Sequence, residues 1–131
     1  MIGLDTNVLV RYVAQDDPTQ SAAATTIIEE LDEQHTGFVS LVVMAELTWV
    51  LRRAYRADDT AIAGVIRALL DSIEIVVHET DAVRRALDRT SGGNDFTDAL
   101  IAELGHRAGC AHTVTFDRVA ARLPAMELIS S

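Results

Sequence analysis

Four carboxylates occupy apolar settings in this chain, and a fifth accompanies one of them. Asp5 closes the segment Met1-Ile2-Gly3-Leu4 and leads into Thr6-Asn7. Glu46 interrupts Leu41–Leu51, a run whose other members are nearly all apolar. Asp95 and Asp98 flank Phe96-Thr97 at i, i+3, so they share one helical face. Asp117 follows Thr113-Val114-Thr115-Phe116. A helix apolar all round is expected to be buried, and a lone ionised glutamate inside it costs several kcal/mol. Acids that converge repel one another, and the ways out are protonation or a bound divalent cation. An all-oxygen donor set selects Mg2+ or Mn2+, and the chemistry such a site performs is phosphoryl transfer or hydrolysis.

Each acid also has a structural role open to it. Asp5 and Asp117 could cap helices, and Glu46 could pair with Arg52 or Arg53. Asp95, after Gly92-Gly93-Asn94, reads as an N-cap, and Asp98 could be a first-turn acid favoured by the helix dipole.

The elements that must position these acids alternate between short strands and longer helices. Strands are expected at Met1–Asp5, Phe38–Val39, Ile73–Val77, Thr113–Thr115 and Met126–Ile129. Helices are expected over Asn7–Val13, Ser21–Gln34, Leu41–Tyr55, Ala61–Leu70, Thr80–Arg89 and Asp95–Arg107, with a helical turn at Asp117–Arg122. Asp17-Pro18, Ser40 and Asp58 supply start signals, while Gly37 and Gly109 supply stops. Glu29, Glu30, Asp32 and Glu33 read as a solvated helix face. This alternation predicts an α/β chain: a three-layer α/β/α sandwich around a central, mainly parallel sheet of about five short strands. Residues 1–131 read as a single domain. In such sheets ligands bind beyond the carboxyl ends of the strands, where Asp5 and Asp117 lie.

Composition narrows the chemistry. All 11 basic residues are arginine, against 20 acidic ones, for a net charge of −9. No broad basic surface is available to hold nucleic acid non-specifically. The absence of lysine removes P-loop phosphate binding and Schiff-base chemistry. Cys110 is the single cysteine, which excludes an intrachain disulfide and a cysteine zinc cluster; it reads as a buried, inert thiol. His35, His78, His106 and His112 sit at element ends or borders and read as structural or solvated. The start lacks a basic segment and no apolar run reaches the ~18 residues of a membrane span, so a cytoplasmic chain is expected.

Leu4-Asp5-Thr6-Asn7, a mid-helix Glu46, Asn94-Asp95-Phe96-Thr97-Asp98-Ala99 and Thr115-Phe116-Asp117-Arg118 together resemble the PIN-domain ribonucleases. Within that family the closer likeness is to VapC-type toxins of type II toxin–antitoxin systems, strengthened by Ala14-Gln15-Asp16-Asp17-Pro18. The resemblance implies that Asp5, Glu46, Asp98 and Asp117 are the catalytic acids and that they hold one or two Mg2+ or Mn2+ ions. Asp5 and Asp98 would be direct ligands, Asp95 a supporting acid, and Thr6, Asn7 and Thr115 polar groups that orient carboxylates or water. The implied reaction is hydrolysis of an RNA phosphodiester. The implied partners are the RNA, a cognate antitoxin protein and a second copy of the chain in a homodimer, with higher toxin–antitoxin assembly possible and no membrane. Arg11, Arg52, Arg53, Arg56 and Arg118 are candidates for following the RNA backbone.

Three rival readings meet specific obstacles. A receiver domain needs a lysine, and a haloacid-dehalogenase-like phosphatase needs a second aspartate at position 7, where Asn7 stands. A non-catalytic PIN-like regulatory binding module remains the alternative, and the complete set of acids argues against it.

Overall fold

The computed structural model of the chain describes residues 1–130. Its internal contacts divide it into two compact units, Met1–Thr80 and Asp81–Ser131.

The N-terminal unit contains β1 (Ile2–Gly3), α1 (Thr6–Ala14), α2 (Pro18–Glu29), β2 (Gly37–Val39), α3 (Leu41–Tyr55), α4 (Asp59–Asp71) and β3 (Ile75–Val77). The strands form a parallel ladder in the order β1-β2-β3, with Gly3 opposite Phe38 and Phe38 opposite Val76. Parallel neighbours require crossovers, and here each crossover is a pair of helices. Local chemistry sets the helix starts. Asp17 accepts from the Gln20 amide at 2.9 Å with Pro18 in the first turn, Ser40 from Val43 at 3.2 Å, and Asp58 from Ala61 at 2.8 Å. The expected boundaries of α3 are those observed.

Burial follows helical spacing. Met44, Leu47, Thr48 and Leu51 are the buried stripe of α3, and Ile62, Ile66 and Leu70 that of α4. α3 is therefore amphipathic, contrary to the expectation of a helix buried all round. Val42 is 75% and Trp49 59% exposed, and Glu46 faces solvent with them. α2 is also shorter than expected. It ends at Glu29, so Asp32 and Glu33 lie in a loop, where Asp32 accepts from the Gln34 and His35 amides at 2.8 and 2.7 Å. Those acids are solvated but do not form a helix face. A short acidic side chain satisfies turn amides better than it continues a helix, and apolar periodicity carries no trace of that competition. β3 likewise begins two residues late, with Ile73 outside it and 66% exposed.

The C-terminal unit contains α5 (Thr80–Thr90), which begins at the unit boundary, then α6 (Phe96–Arg107), β4 (Thr113–Thr115), a 3-10 turn at Ala120–Arg122 and β5 (Met126–Leu128). β4 and β5 pair in parallel, with Val114 opposite Glu127. α6 approaches β4 so closely that a Cβ at Gly105 would stand 2.5 Å from Thr113 Oγ1, a glycine requirement invisible in the sequence pattern. Buried residues include Ala82, Val83, Ala86 and Leu87 on α5, and Phe96, Ala99, Leu100 and Ala102 on α6. Cys110 is exposed, not buried, because it lies in the turn after the left-handed Gly109 and not on a strand or helix face.

The α/β class and the parallel strands are therefore as expected. The five short strands are hydrogen-bonded as one ladder of three and one of two. Among the described residues, no helix is long and apolar enough to cross a membrane.

Candidate functional site

In the N-terminal unit the acids lie at the ends of strands and on the first helical turns that follow. Asp5 occupies the N-cap position of α1, with φ −79° and ψ 157°. Its carboxylate makes no capping hydrogen bond with the described residues of the first turn, so the capping role does not account for it. The next residue, Thr6, is buried, and its hydroxyl donates to Glu46 Oε1 on α3. Glu46 is thereby oriented from one side while it stays exposed on the other. It does not take an arginine partner as the structural reading allowed. Arg52 pairs with Asp59 at 2.8 Å, and Arg53 lies over the Trp49 ring, 5.7 Å from its centroid. Asn7 is exposed and lines a shallow groove with Arg11 and Gln20.

Arg11 is already engaged. It donates to Gln20 Oε1 at 2.8 Å and pairs with Asp16 at 3.2 Å, while Tyr55 Oη donates to the other Asp16 oxygen at 2.8 Å. The Tyr55 hydrogen bond, more than the nearby guanidinium, holds the Asp16 carboxyl below its ordinary range. This network joins α1, the start of α2 and the end of α3. Sequence reasoning had no signal for Tyr55, since its partners are 39 and 44 residues away.

The C-terminal unit gathers three acids. Asp95 caps α6, its Oδ2 accepting from the Asp98 amide at 3.2 Å, as its position after Gly-Gly-Asn predicted. Asp98 stands in the first turn and is half-buried. Burial pushes its carboxyl pKa up, and the charges of Asp95 and Asp117 push it further in the same direction. Asp117 follows β4; its own amide donates to Thr115 Oγ1 at 3.0 Å, and its Oδ1 accepts from the Val119 and Ala120 amides at 2.8 and 3.0 Å. Thr115 and Asp117 thus shape one turn, and one Asp117 oxygen is occupied by capping. Asn94, which precedes the cap, donates through Nδ2 to the Val119 carbonyl at 3.0 Å and so ties the start of α6 to that turn. Its place beside the cap and at the head of the Asn94–Ala99 motif gives no sign of this partner 25 residues away.

Within each unit the structure thus brings candidates together: Thr6 with Glu46, and Asp95, Asp98 and Asp117 with Thr115. Among the described residues, no three histidine, cysteine, aspartate or glutamate side chains form a ready-made metal cluster. The candidates themselves offer only carboxylate and hydroxyl oxygens, a donor set that fits a hard divalent cation. The crowding around Asp98 is the kind of charge conflict that such a cation relieves. The histidines lie elsewhere: His35 pairs with Asp32 at 3.1 Å, His112 with Glu127 at 3.2 Å, and the His78 ring stands 5.8 Å from that of Phe38.

The PIN domain family model matches residues 2–126, nearly the whole chain. No curated protein matches the sequence. PIN domains are in general metal-dependent nucleases.

Proposed function

The chain belongs to the PIN domain family, and from that premise we propose that it is an Mg2+- or Mn2+-dependent endoribonuclease, the toxin of a toxin–antitoxin pair of the VapC type. The observation that carries the reading is the placement of Asp98, half-buried in the first turn of α6 beside Asp95 and Asp117, where burial first and those two charges second raise its pKa. A half-buried carboxylate kept beside two others fits a role in holding a cation.

Asp5, Glu46, Asp98 and Asp117 are the catalytic acids of this proposal, with Asp5 and Asp98 the cation ligands. When bound, the cation supplies activation of water and neutralises charge at the phosphate. The chain's own groups do the rest. Asp5 offers a carboxylate unspent on capping. Thr6 fixes the rotamer of Glu46, which is exposed and so placed to accept a proton from water. Asp95 and Thr115 shape the first turn of α6 and the turn after β4, which carry Asp98 and Asp117. Asn7 stands in the first turn of α1, next to Thr6 and two residues from Asp5.

The partners follow as proposals. An apolar groove of about 340 Å³ on the N-terminal unit, lined among others by Leu9, Val13, Ile28, Val65 and Leu69, suits an apolar segment of a small antitoxin protein. An arginine on that protein would complement the acids. Exposed Val42 and Trp49 give a homodimer apolar surface to cover.

The test incubates the purified chain with a mixture of structured RNAs, with Mg2+ or with chelator, alongside Asp5→Asn and Asp98→Asn. Cleavage that needs Mg2+ and is lost in both variants supports the proposal. Cleavage that survives chelation or both substitutions overturns it. The second reading, a non-catalytic regulatory module, has in its favour the lack of a ready-made three-ligand cluster among the described residues. It predicts no cleavage of any RNA and no divalent-ion binding.

A further inference from the structure

The C-terminal unit carries a concavity that the acids do not use. It has a volume of about 420 Å³ and lies over the second halves of α5 and α6 and the turn before β5. Its rim is basic in a chain whose net charge is −9. Arg85 and Arg89 stand i, i+4 on α5, and His106 stands on α6. Such spacing puts the Cβ atoms about 5–6 Å apart, close enough for two guanidinium forks to close on one tetrahedral anion. Glu103 is the one acid in the lining, and it is shared: its Oε1 lies 3.8 Å from Arg85 Nε and 3.2 Å from Arg107 Nε. Neither the Arg89 nor the His106 side chain has a hydrogen bond or ion pair with the described residues. Arg89 is therefore a guanidinium without a partner among the described residues, and the His106 ring adds an unspent nitrogen beside it.

Its floor is apolar, made of Ala99, Ala102 and Leu123, all buried. Beside it Ala125 holds a left-handed conformation, φ 67°, which is strained for a residue with a Cβ. The Ala125 carbonyl accepts from the Thr113 amide at 2.6 Å, so the turn is held in place. A basic rim over a fixed apolar floor, with the volume of a small-ligand site, fits a phosphate attached to a flat, weakly polar body.

We propose that this pocket binds the phosphate of a single nucleotide, with Arg85 and Arg89 on the phosphate and the base or sugar against the alanine floor. The nucleotide is either free or the terminal one of an RNA. The inference stands apart from the nuclease reading, because it uses none of the acids and needs no cation.

The test is a nuclear magnetic resonance titration of the full chain in chelator, repeated in Asp98→Asn so that neither a bound cation nor the central acid of the crowded region contributes. The probes are adenosine 5′-monophosphate, adenosine, inorganic phosphate, a 5′-phosphorylated trinucleotide and, as a competitor, a short acidic peptide. The monophosphate is expected to shift amides of the second half of α5, the end of α6 and residues 123–125, in both proteins alike. Arg85→Gln or Arg89→Gln weakens it about tenfold, and Glu103→Gln, which frees Arg85, tightens it by about threefold. Tighter binding of the trinucleotide than of the mononucleotide assigns the pocket to an RNA end, and equal binding assigns it to free nucleotides; either supports the inference. It is overturned if adenosine binds as well as its monophosphate, if an acidic peptide displaces the monophosphate at lower concentration, if the double arginine variant binds unchanged, or if no phosphate-bearing probe binds.

Discussion

In the N-terminal unit Glu46 is exposed and tied to a buried threonine hydroxyl, and Asp5 stands exposed without a cap to make. In the C-terminal unit Asp98 is half-buried and shares its surroundings with two other carboxylates, both partly spent on backbone amides. One region orients its acids, whereas the other crowds them. Orientation costs little at the surface, because water solvates whatever the hydrogen bond leaves over. Crowding in a half-buried place has a continuing electrostatic cost, and a bound cation is the natural way to remove it.

The largest expected effect follows from that asymmetry. Asp98→Asn removes the acid at the centre of the crowded region and should lower RNA cleavage by roughly 1,000-fold or more, measured as kcat/KM. The same variant in chelator should melt at a higher temperature than the natural chain at pH 7. Retained cleavage in Asp98→Asn together with complete loss in Asp5→Asn would break the comparison, because the crowded region would then have no chemical role.

The next effect is on thermal stability. Folding raises the Asp98 pKa above its ordinary value of 3.8, so the fold disfavours the ionised carboxyl. Without a cation, that penalty is absent below the unfolded pKa and develops as pH rises through the folded one. Stability attributable to Asp98 is thus greatest in acid and is lost towards neutral pH. Saturating Mg2+ at pH 7 should then raise Tm by about 5 °C or more, and Asp98→Asn should abolish most of that rise. An equal Mg2+ shift in both proteins would place the cation elsewhere.

A smaller change should come from the oriented region. Thr6→Val keeps the buried volume but removes the hydroxyl that holds Glu46. Because Glu46 is exposed, the carboxylate left behind is rehydrated, so stability should fall by less than about 1 kcal/mol. Cleavage should fall by about tenfold, in kcat more than in KM, with Thr6→Ser restoring most of it. A loss as large as that of Glu46→Gln would show that Thr6 does more than position the glutamate.

How much of this was legible in sequence depends on the range of the interactions involved. Ser40, Asp17, Asp58 and Asp95 act on amides three residues away, and their capping roles were readable. The four acids stood out because their neighbours are apolar, yet the inference that Glu46 is buried failed. α3 exposes a valine and a tryptophan on the same side, and composition alone does not say which side of an apolar helix meets water. Thr6 holding Glu46, and Asn94 holding the Val119 carbonyl, join residues 40 and 25 positions apart, and no local pattern announces them. The pocket lined by Arg85, Arg89 and His106 is hidden for the same reason, since it draws on three separate segments.

The finest distinction lies within the crowded region itself, where Asp95 is both a cap and a neighbouring charge. Asparagine caps about as well as aspartate, so Asp95→Asn should keep α6 intact while removing one of the charges that raise the Asp98 pKa. Asp95→Ala removes both and should cost about 1 kcal/mol through the lost cap. The two variants separate the roles. Asp98, followed by the pH dependence of its carboxyl carbon resonance, should titrate at lower pH in Asp95→Asn than in the natural chain, with thermal stability at pH 7 unchanged or slightly higher. Burial, the larger cause of the shift, is untouched, so the pKa should remain above the ordinary value. A return to that ordinary value would mean that repulsion, not burial, governs Asp98, and the crowded region would then be an electrostatic cluster at the surface rather than a half-buried one.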